Sequence, residues 1–333
     1  TTGTTGQAKG VLISHEAIMA NAENLMTAQG YTADTVFIIC GPINHLGSLS
    51  KLYPTFMQGA TIYLLEGLND LNAFFNAFDY SSDKFATFMV PAHLRMLIHL
   101  ARQQLKQISH KLDFIETGAA PMQVCDMEEL CRLLPTTRLY NTYASTETGI
   151  IATHNFNEDQ CWLGCVGRAM KHASFSITPQ GTIACAGPTL MTEYVGDAEA
   201  TQKVKHDGQL FTEDLGHIDA QGRLFIDGRH SEVINIGGYK VAPTDVEAAA
   251  LAHPGVSDCI CIATPHPITD TALKLLVVCK PGAKLDKRAL AQWLQTRLET
   301  YQVPMQYEEV TAIKRTFNGK LDRKAYRMKS FQE

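Results

Sequence analysis

Short β-rich runs that each break into a small or polar loop, with helix-like segments between them, constrain this chain more than any other feature. Val11-Leu12-Ile13 leads to Ser14, a good N-cap, and then to an Ala/Glu/Met-rich stretch through Met26. Thr87-Phe88-Met89-Val90 reads as a strand stopped by Pro91. After it, Leu94, Leu97, Ile98, Ala101 and Leu105 recur at spacings of three and four, as on a helix with one buried face. Asp113-Phe114-Ile115 runs into Thr117-Gly118-Ala119-Ala120-Pro121, and Arg138-Leu139-Tyr140 into Asn141-Thr142-Tyr143, so each strand is expected to end in a loop. This alternation, held to about Gly228, is how an α/β domain reads, and open α/β sheets bind ligands at such carboxyl ends.

Between Ser174 and Phe225 the pattern changes to short strands separated by Pro179-Gln180-Gly181 and Asp219-Ala220-Gln221-Gly222, which predicts a small β-hairpin region. From about Ser231 a second unit begins. Gly237-Gly238 and Pro243 precede Thr244 and Glu247, spaced as a capping box at the head of an Ala-rich helix. Strands over 259–263 and 275–279 and a helix carrying Leu290, Trp293, Leu294 and Leu298 complete a compact α+β module. The expectation is a large mixed α/β domain, 1–228, followed by a smaller hinged carboxyl-terminal domain, 229–333, a division that suits 333 residues.

Hydrophobic residues at 45% and charged residues at 19% exclude a disordered, collagen-like or coiled-coil chain. A net charge of -5 leaves no global cationic field, so nucleic acid and anionic lipid are not expected partners. No apolar run approaches the roughly 20 residues of a membrane span, and the start lacks signal-peptide order, so a cytoplasmic location is expected. Nine cysteines in a chain of this size need no disulfide framework, and Cys40, Cys259, Cys261 and Cys279 sit in apolar runs as core residues do. Cys161 and Cys165, near His154 and His172, lack the second pair that zinc requires.

Thr1-Thr2-Gly3-Thr4-Thr5-Gly6-Gln7-Ala8-Lys9-Gly10 packs glycines, hydroxyls and a lysine into ten positions. Glycines let backbone N–H groups approach phosphate oxygens, threonine hydroxyls add donors, and the lysine adds a point charge. The spacing departs from the Walker pattern, because Lys9 precedes Gly10 and only two residues separate Gly3 from Gly6. Taken alone, the run also suits a flexible terminus.

The run resembles the Thr-Ser-Gly-Thr-Thr-Gly-x-Pro-Lys-Gly signature of the AMP-forming adenylating superfamily. That group holds acyl- and aryl-CoA synthetases, peptide-synthetase adenylation domains and firefly-type luciferases. Further motifs recur in order over essentially the whole chain. The resemblance implies that Thr1, Thr2, Gly3, Thr4, Thr5, Gly6 and Lys9 hold the triphosphate. It implies that His45, in Pro42-Ile43-Asn44-His45-Leu46-Gly47, lines an acyl channel, although a His in an apolar loop also reads as a satisfied structural residue. Gly118, Ala119 and Ala120 would lie against adenine, with Asn141 nearby. In Tyr143-Ala144-Ser145-Thr146-Glu147, Tyr143 would stack on adenine, Thr146 hold the α-phosphate and Glu147 bind Mg²⁺, a cation that favours hard oxygen ligands. Thr146 and Glu147 also suit a helix-capping pair. Asp214 would hold the ribose hydroxyls, and Arg229 the ribose and phosphate near a hinge. Gly237-Gly238-Tyr239-Lys240-Val241-Ala242-Pro243 is similar to the loop used in thioester formation. Lys320, in Gly319-Lys320-Leu321-Asp322-Arg323, would be the adenylation lysine, an ammonium that stabilises charge gathering on the α-phosphate. The alternative for Lys314 to Lys329 is a solvated basic tail. The chain departs from the family pattern at Ala8, Ala144, Glu213 and the hinge residue Ser231.

The implied activity is that of a Mg-ATP-dependent acid–thiol ligase, with ATP, Mg²⁺ and CoA or carrier-protein pantetheine as cofactors and acceptor. Lys320, Thr146, Glu147 and His45 would carry the chemistry. No Asp stands between Pro42 and Ser48 to bind a substrate ammonium, which favours fatty or aromatic acids over amino acids. Family members usually carry a substantial portion ahead of the phosphate loop. The chain is therefore expected to be the carboxyl-terminal part of a longer one, and a non-catalytic nucleotide-binding fragment of the same fold is the alternative.

Overall fold

The computed structural model describes residues 9–80, 84–236, 238–267, 270–316 and 320–327. Ser14 begins the first long helix, His15–Gln29, by accepting the Ala17 N–H on its hydroxyl at 3.0 Å. The helix runs three residues past Met26 and stops at Gly30, whose φ of 63° turns its N–H back to the Met26 carbonyl.

Five parallel strands follow. Their order across the sheet is Thr61–Leu64, Thr35–Ile39, Lys84–Met89, Leu112–Gly118 and Arg138–Ser145. The second strand in the chain lies outside the first, so the direction of growth reverses between Thr35–Ile39 and Lys84–Met89. Such a switch point opens a crevice at the carboxyl ends of the strands, where α/β sheets take ligands. Because the strands are parallel, the loops after Ile39, Gly118 and Ser145 all emerge at one edge of the sheet.

The sheet continues through Gly149–Asn155 and Cys165–Ala169, both antiparallel, into the hairpin strands Leu224–Arg229, Gln209–Ile218, Thr182–Ala186 and Ser174–Ile177. The turns at Pro179-Gln180-Gly181 and at Asp219 to Gly222 stand between these strands, as their composition predicts.

Two local expectations change. Asn141-Thr142-Tyr143 is not a loop, because the strand runs on to Ser145 and pairs with Gly149–Asn155, Asn141 opposite His154 and Tyr143 opposite Ala152. The segment after Pro91 is two helices, Pro91–Leu100 and Arg102–Ile108, parted at Ala101 with φ -134°. The apolar spacing still holds, since Leu94, Leu97, Ile98, Ala101 and Leu105 all enter one core on the same side of the sheet.

The chain divides into two compact units, the first reaching Thr212 and including Gly216–Ile226, the second made of Glu213–Leu215 and the residues from Asp227 onward. In the second, Val256–His266 and Asp270–Cys279 pair antiparallel, and Gln306–Glu309 adds a parallel edge. The helices Pro243–Leu251 and Lys287–Gln295 bury Val246, Ala250, Leu290 and Leu294 with one sheet face. Ile313, Leu321 and Tyr326 pack with Ile260 and Leu276. The capping box does not form. Ala242 is the N-cap, the Thr244 hydroxyl donates to the Asp227 carbonyl at 3.3 Å, and Glu247 turns inward. No helix among the described residues is long and apolar enough to cross a membrane.

Candidate active site

Thr146 and Glu147 sit on the tight turn between the strands Arg138–Ser145 and Gly149–Asn155, so there is no helix for them to cap. The turn is braced from within. The Ser145 N–H donates to Thr148 Oγ1 at 3.1 Å, and the Thr148 N–H to Ser145 Oγ at 3.0 Å. It is braced from outside by the Thr189 hydroxyl on the Thr148 carbonyl, by Asn21 Oδ1 accepting the Ile150 N–H at 2.6 Å, and by the Met191 N–H on the Glu147 carbonyl.

The Glu147 carboxylate accepts the Tyr194 hydroxyl on Oε1 at 2.9 Å, and Lys9 Nζ lies 4.5 Å over the centre of the Tyr194 ring. Val11–Leu12 pairs antiparallel with Glu193–Tyr194, which is what carries Lys9 to this place. Lys9, Tyr194 and Glu147 therefore form one chain of contacts at the sheet edge. A partly exposed carboxylate beside the Thr146 hydroxyl is a hard oxygen donor set, and these residues fit a magnesium ion. Thr1, Thr2, Gly3, Thr4, Thr5 and Gly6 lie outside the described residues, as do Ala8, Gly237 and Gly319.

Gly118 ends its strand against the neighbouring one, where an added Cβ would stand 2.6 Å from the Thr142 carbonyl oxygen. Ala119 follows in the left-handed region at φ 67°, a conformation that L residues other than Asn and Asp seldom adopt and that clusters at ligand sites. Ala120 is partly exposed beside it. Tyr143 is buried with Ile151, Ala152 and Val166. Asn141 is buried and its side-chain amide donates to the Cys165 carbonyl at 2.7 Å, a tie across the sheet. His45 is the N-cap of the helix Leu46–Met57, its Nδ1 accepting the Gly47 N–H at 3.2 Å. It follows the strand at the switch point, so its capping role and its place at the ligand-binding edge coincide.

Sequence reasoning missed an ion pair on that same helix. Lys51 and Glu116 are 2.7 Å apart with side chains 2% exposed, and burial pulls Lys51 below the usual ammonium range against the opposing pull of Glu116. It missed Tyr194 as well. Neither carries a local signal, because each acquires its role from a partner far away in sequence.

In the second unit, Asp214 receives Arg229 Nε on Oδ1 at 2.9 Å, and the Ser231 hydroxyl donates to Glu213 Oε2 at 2.8 Å. Two of the four departures from the family pattern thus bond to each other, which turns the Glu213 carboxylate toward Ser231. The Lys320 carbonyl accepts the Thr316 N–H at 2.8 Å. Among the described residues beyond Lys320, Arg323 is held in a network. Arg323 reaches Glu247 through both terminal nitrogens at 2.7 and 2.8 Å and Glu232 through Nε at 2.7 Å, while the Cys261 N–H also donates to Glu247. Burial pushes the Glu247 carboxyl up against the pull of Arg323, whose guanidinium holds both carboxylate oxygens. His154 stacks on Trp162, His172 bonds Glu23, and Cys161 lies 3.9 Å from Cys131.

Comparison with known proteins fits this arrangement. Residues 1–195 match the model of the AMP-binding enzyme family, and residues 245–320 that of the AMP-binding enzyme C-terminal domain. An indoleacetate–CoA ligase of Aromatoleum aromaticum is 31% identical over 96% of this chain and 64% of its own length. A long-chain-fatty-acid–CoA ligase of Bacillus subtilis is 27% identical over 97% and 60%. The chain thus spans less than two thirds of these relatives. Among solved structures, the amide bond synthetase McbA of Marinactinospora thermotolerans has 26% identity and a TM-score of 0.89 over 97% of this chain and 68% of its own. ATP-bound MatB of Rhodopseudomonas palustris, at 24% identity, shares the fold with a TM-score of 0.90 over 99% of this chain and 67% of its own. With its five-stranded parallel sheet, its braced Thr146–Glu147 turn and these matches, the chain belongs to the AMP-binding enzyme family.

Proposed function

We propose that this chain activates a carboxylic acid with Mg-ATP, releasing pyrophosphate and forming an acyl-adenylate, and then passes the acyl group to the thiol of CoA or of a carrier-protein pantetheine. The observation that carries this reading is the Lys9–Tyr194–Glu147 chain of contacts on a turn pinned at the ligand-binding edge of the sheet. A carboxylate acylates poorly because its oxygen leaves poorly, and joining it to AMP makes a mixed anhydride that leaves readily. CoA ligases among the relatives support the same reaction class.

In this reading Lys9 and the threonines and glycines before it hold the triphosphate, Thr146 donates to the α-phosphate, and Glu147 holds the magnesium ion. Tyr143 and the Gly118 to Ala120 loop receive adenine with Asn141 behind them, and Asp214 and Arg229 receive the ribose. His45 lines the acyl channel, and Lys320 stabilises charge as the carboxylate attacks phosphorus. Bound magnesium would neutralise phosphate charge. Residues 1–228 act as the ATP- and acyl-binding domain and 229–333 as a small hinged domain. The acid is fatty or aromatic, and the protein works in the cytoplasm.

ATP–pyrophosphate exchange against a panel of carboxylic acids tests the reading. Acid-dependent exchange, with adenylate trapped as hydroxamate, is the expected result. Nucleotide binding without exchange on any acid would instead make the chain a non-catalytic member of the family.

A further inference from the structure

Cys131 and Cys161 stand with their Sγ atoms 3.9 Å apart, and both thiols lie against the Phe156 carbonyl, at 3.7 and 3.8 Å. Each is partly exposed, whereas Cys40, Cys165, Cys185, Cys259 and Cys261 are buried, so this pair meets solvent where most thiols of the chain do not. Cys131 comes from the helix Val124–Leu133, and Cys161 from the loop that joins Gly149–Asn155 to Cys165–Ala169. Thirty positions separate them in sequence.

Contacts on either side of the thiols fix their approach. Asn157, early in that loop, donates through its side-chain amide to the carbonyls of Leu134 and Thr137, just past the helix, at 3.0 and 2.7 Å. The Phe156 N–H reaches the Leu139 carbonyl at 2.9 Å, and the Phe156 side chain is 1% exposed in the same core as Leu130, Leu133 and Leu134. The loop is thereby pinned to the end of the helix. Closing a bond requires the sulfurs to approach by about 2 Å more, within reach of side-chain rotation and of a loop that holds turns but no strand or helix.

We propose that Cys131 and Cys161 form a reversible dithiol–disulfide switch, oxidised by a low-molecular-weight disulfide of the glutathione class, whose closed form ties the helix Val124–Leu133 to the loop after Phe156. Cys161 attacks first. Burial raises both thiols, Cys131 to about 12, but the hydrogen bond from Cys131 pulls Cys161 back down, so Cys161 ionises more readily. Its thiolate attacks one sulfur of the small disulfide, forming a mixed disulfide and expelling one small thiolate. Cys131 then gives up its proton and attacks the Cys161 sulfur, expelling the second small thiolate. The cysteine pair loses two electrons, the small disulfide is reduced to two thiols, and the two cysteine protons end on those thiols. Excess small thiol runs the steps backward. The closed form stabilises the first unit, because the bond constrains a loop of about 30 residues in the unfolded chain.

The test is incubation of the native chain in glutathione buffers of rising oxidised fraction, then acid quenching, alkylation of the remaining thiols and mass mapping of peptides. Cys131 and Cys161 are expected to leave the free-thiol pool together, joined to each other and carrying no glutathione. In Cys131→Ser the resolving sulfur is gone, and glutathione retained on Cys161 is expected to exceed that in the native chain by at least about 10-fold. Oxidation is expected to raise the urea midpoint of the first unit by roughly 1 M, read through Trp162 in a Trp293→Phe background, and to leave it unmoved when Cys131→Ser is added. Free thiols at both positions in the most oxidising buffer, a bridge from either to Cys125, or a bridged form no more stable than the reduced one would overturn the proposal. Should Cys131→Ser not fold, the peptide map of the native chain decides by itself.

Discussion

Glu147 is held on two sides, its carboxylate by the Tyr194 hydroxyl and its carbonyl by the Met191 N–H. Glu147→Gln keeps the shape and loses the charge. It is expected to slow acid-dependent exchange by roughly 10²-fold and to raise the magnesium concentration needed, read from exchange rates across a magnesium series. Tyr194→Phe removes only the orienting hydroxyl, and on the same series its effect is expected to be nearer 10-fold. An unchanged magnesium dependence in both variants would remove Glu147 from the metal site. At this scale the sequence was uneven. Glu147 stood out through its motif, and Lys9 through the loop it closes. Tyr194 carried no mark, because it becomes a partner only when Val11–Leu12 pairs with its strand.

The turn that carries Glu147 depends on Gly149, whose φ of 70° and close neighbours leave no room for a side chain. A Cβ there would stand 2.5 Å from the Thr189 carbonyl oxygen. Gly149→Ala is expected to cost about 2–3 kcal/mol, from the left-handed backbone and the displaced Thr189 together, as a lower urea midpoint at unchanged slope. A midpoint equal to wild type would mean that the turn yields without cost. The sequence marked this element as functional and mistook its form. Asn and Thr are turn formers by local hydrogen bonding, so Asn141-Thr142-Tyr143 reads as loop. In the fold those side chains bond across strands instead, Asn141 to the Cys165 carbonyl and Thr142 Oγ1 to Thr153 Oγ1 at 2.9 Å. The helix Leu46–Met57 was hidden for the opposite reason, since its buried face is polar and apolar periodicity cannot find it.

Across the whole molecule, the second unit closes on Arg323, which ties the end of the described chain to Glu232 and Glu247. Arg323→Met leaves Glu247 buried without its cation and is expected to destabilise that unit by about 3–5 kcal/mol. Urea unfolding of the full chain in a Trp162→Phe background reads this through Trp293, which packs in the same unit. A midpoint unmoved by the substitution would show that the tail is not fixed by this network. The sequence by itself determined the alternation of strands and helices, the hairpin turns and the order of the motif residues, because short-range sterics and the period of burial are written within a few neighbouring positions. Only the tertiary structure decided which side chains meet. Glu147 finds Tyr194 across 47 positions, Lys51 finds Glu116 across 65, and Arg323 finds Glu247 across 76. Those meetings follow from the order of strands in the sheets and the packing of helices over them, which burial and hydrogen bonding settle for the chain as a whole and no local window records.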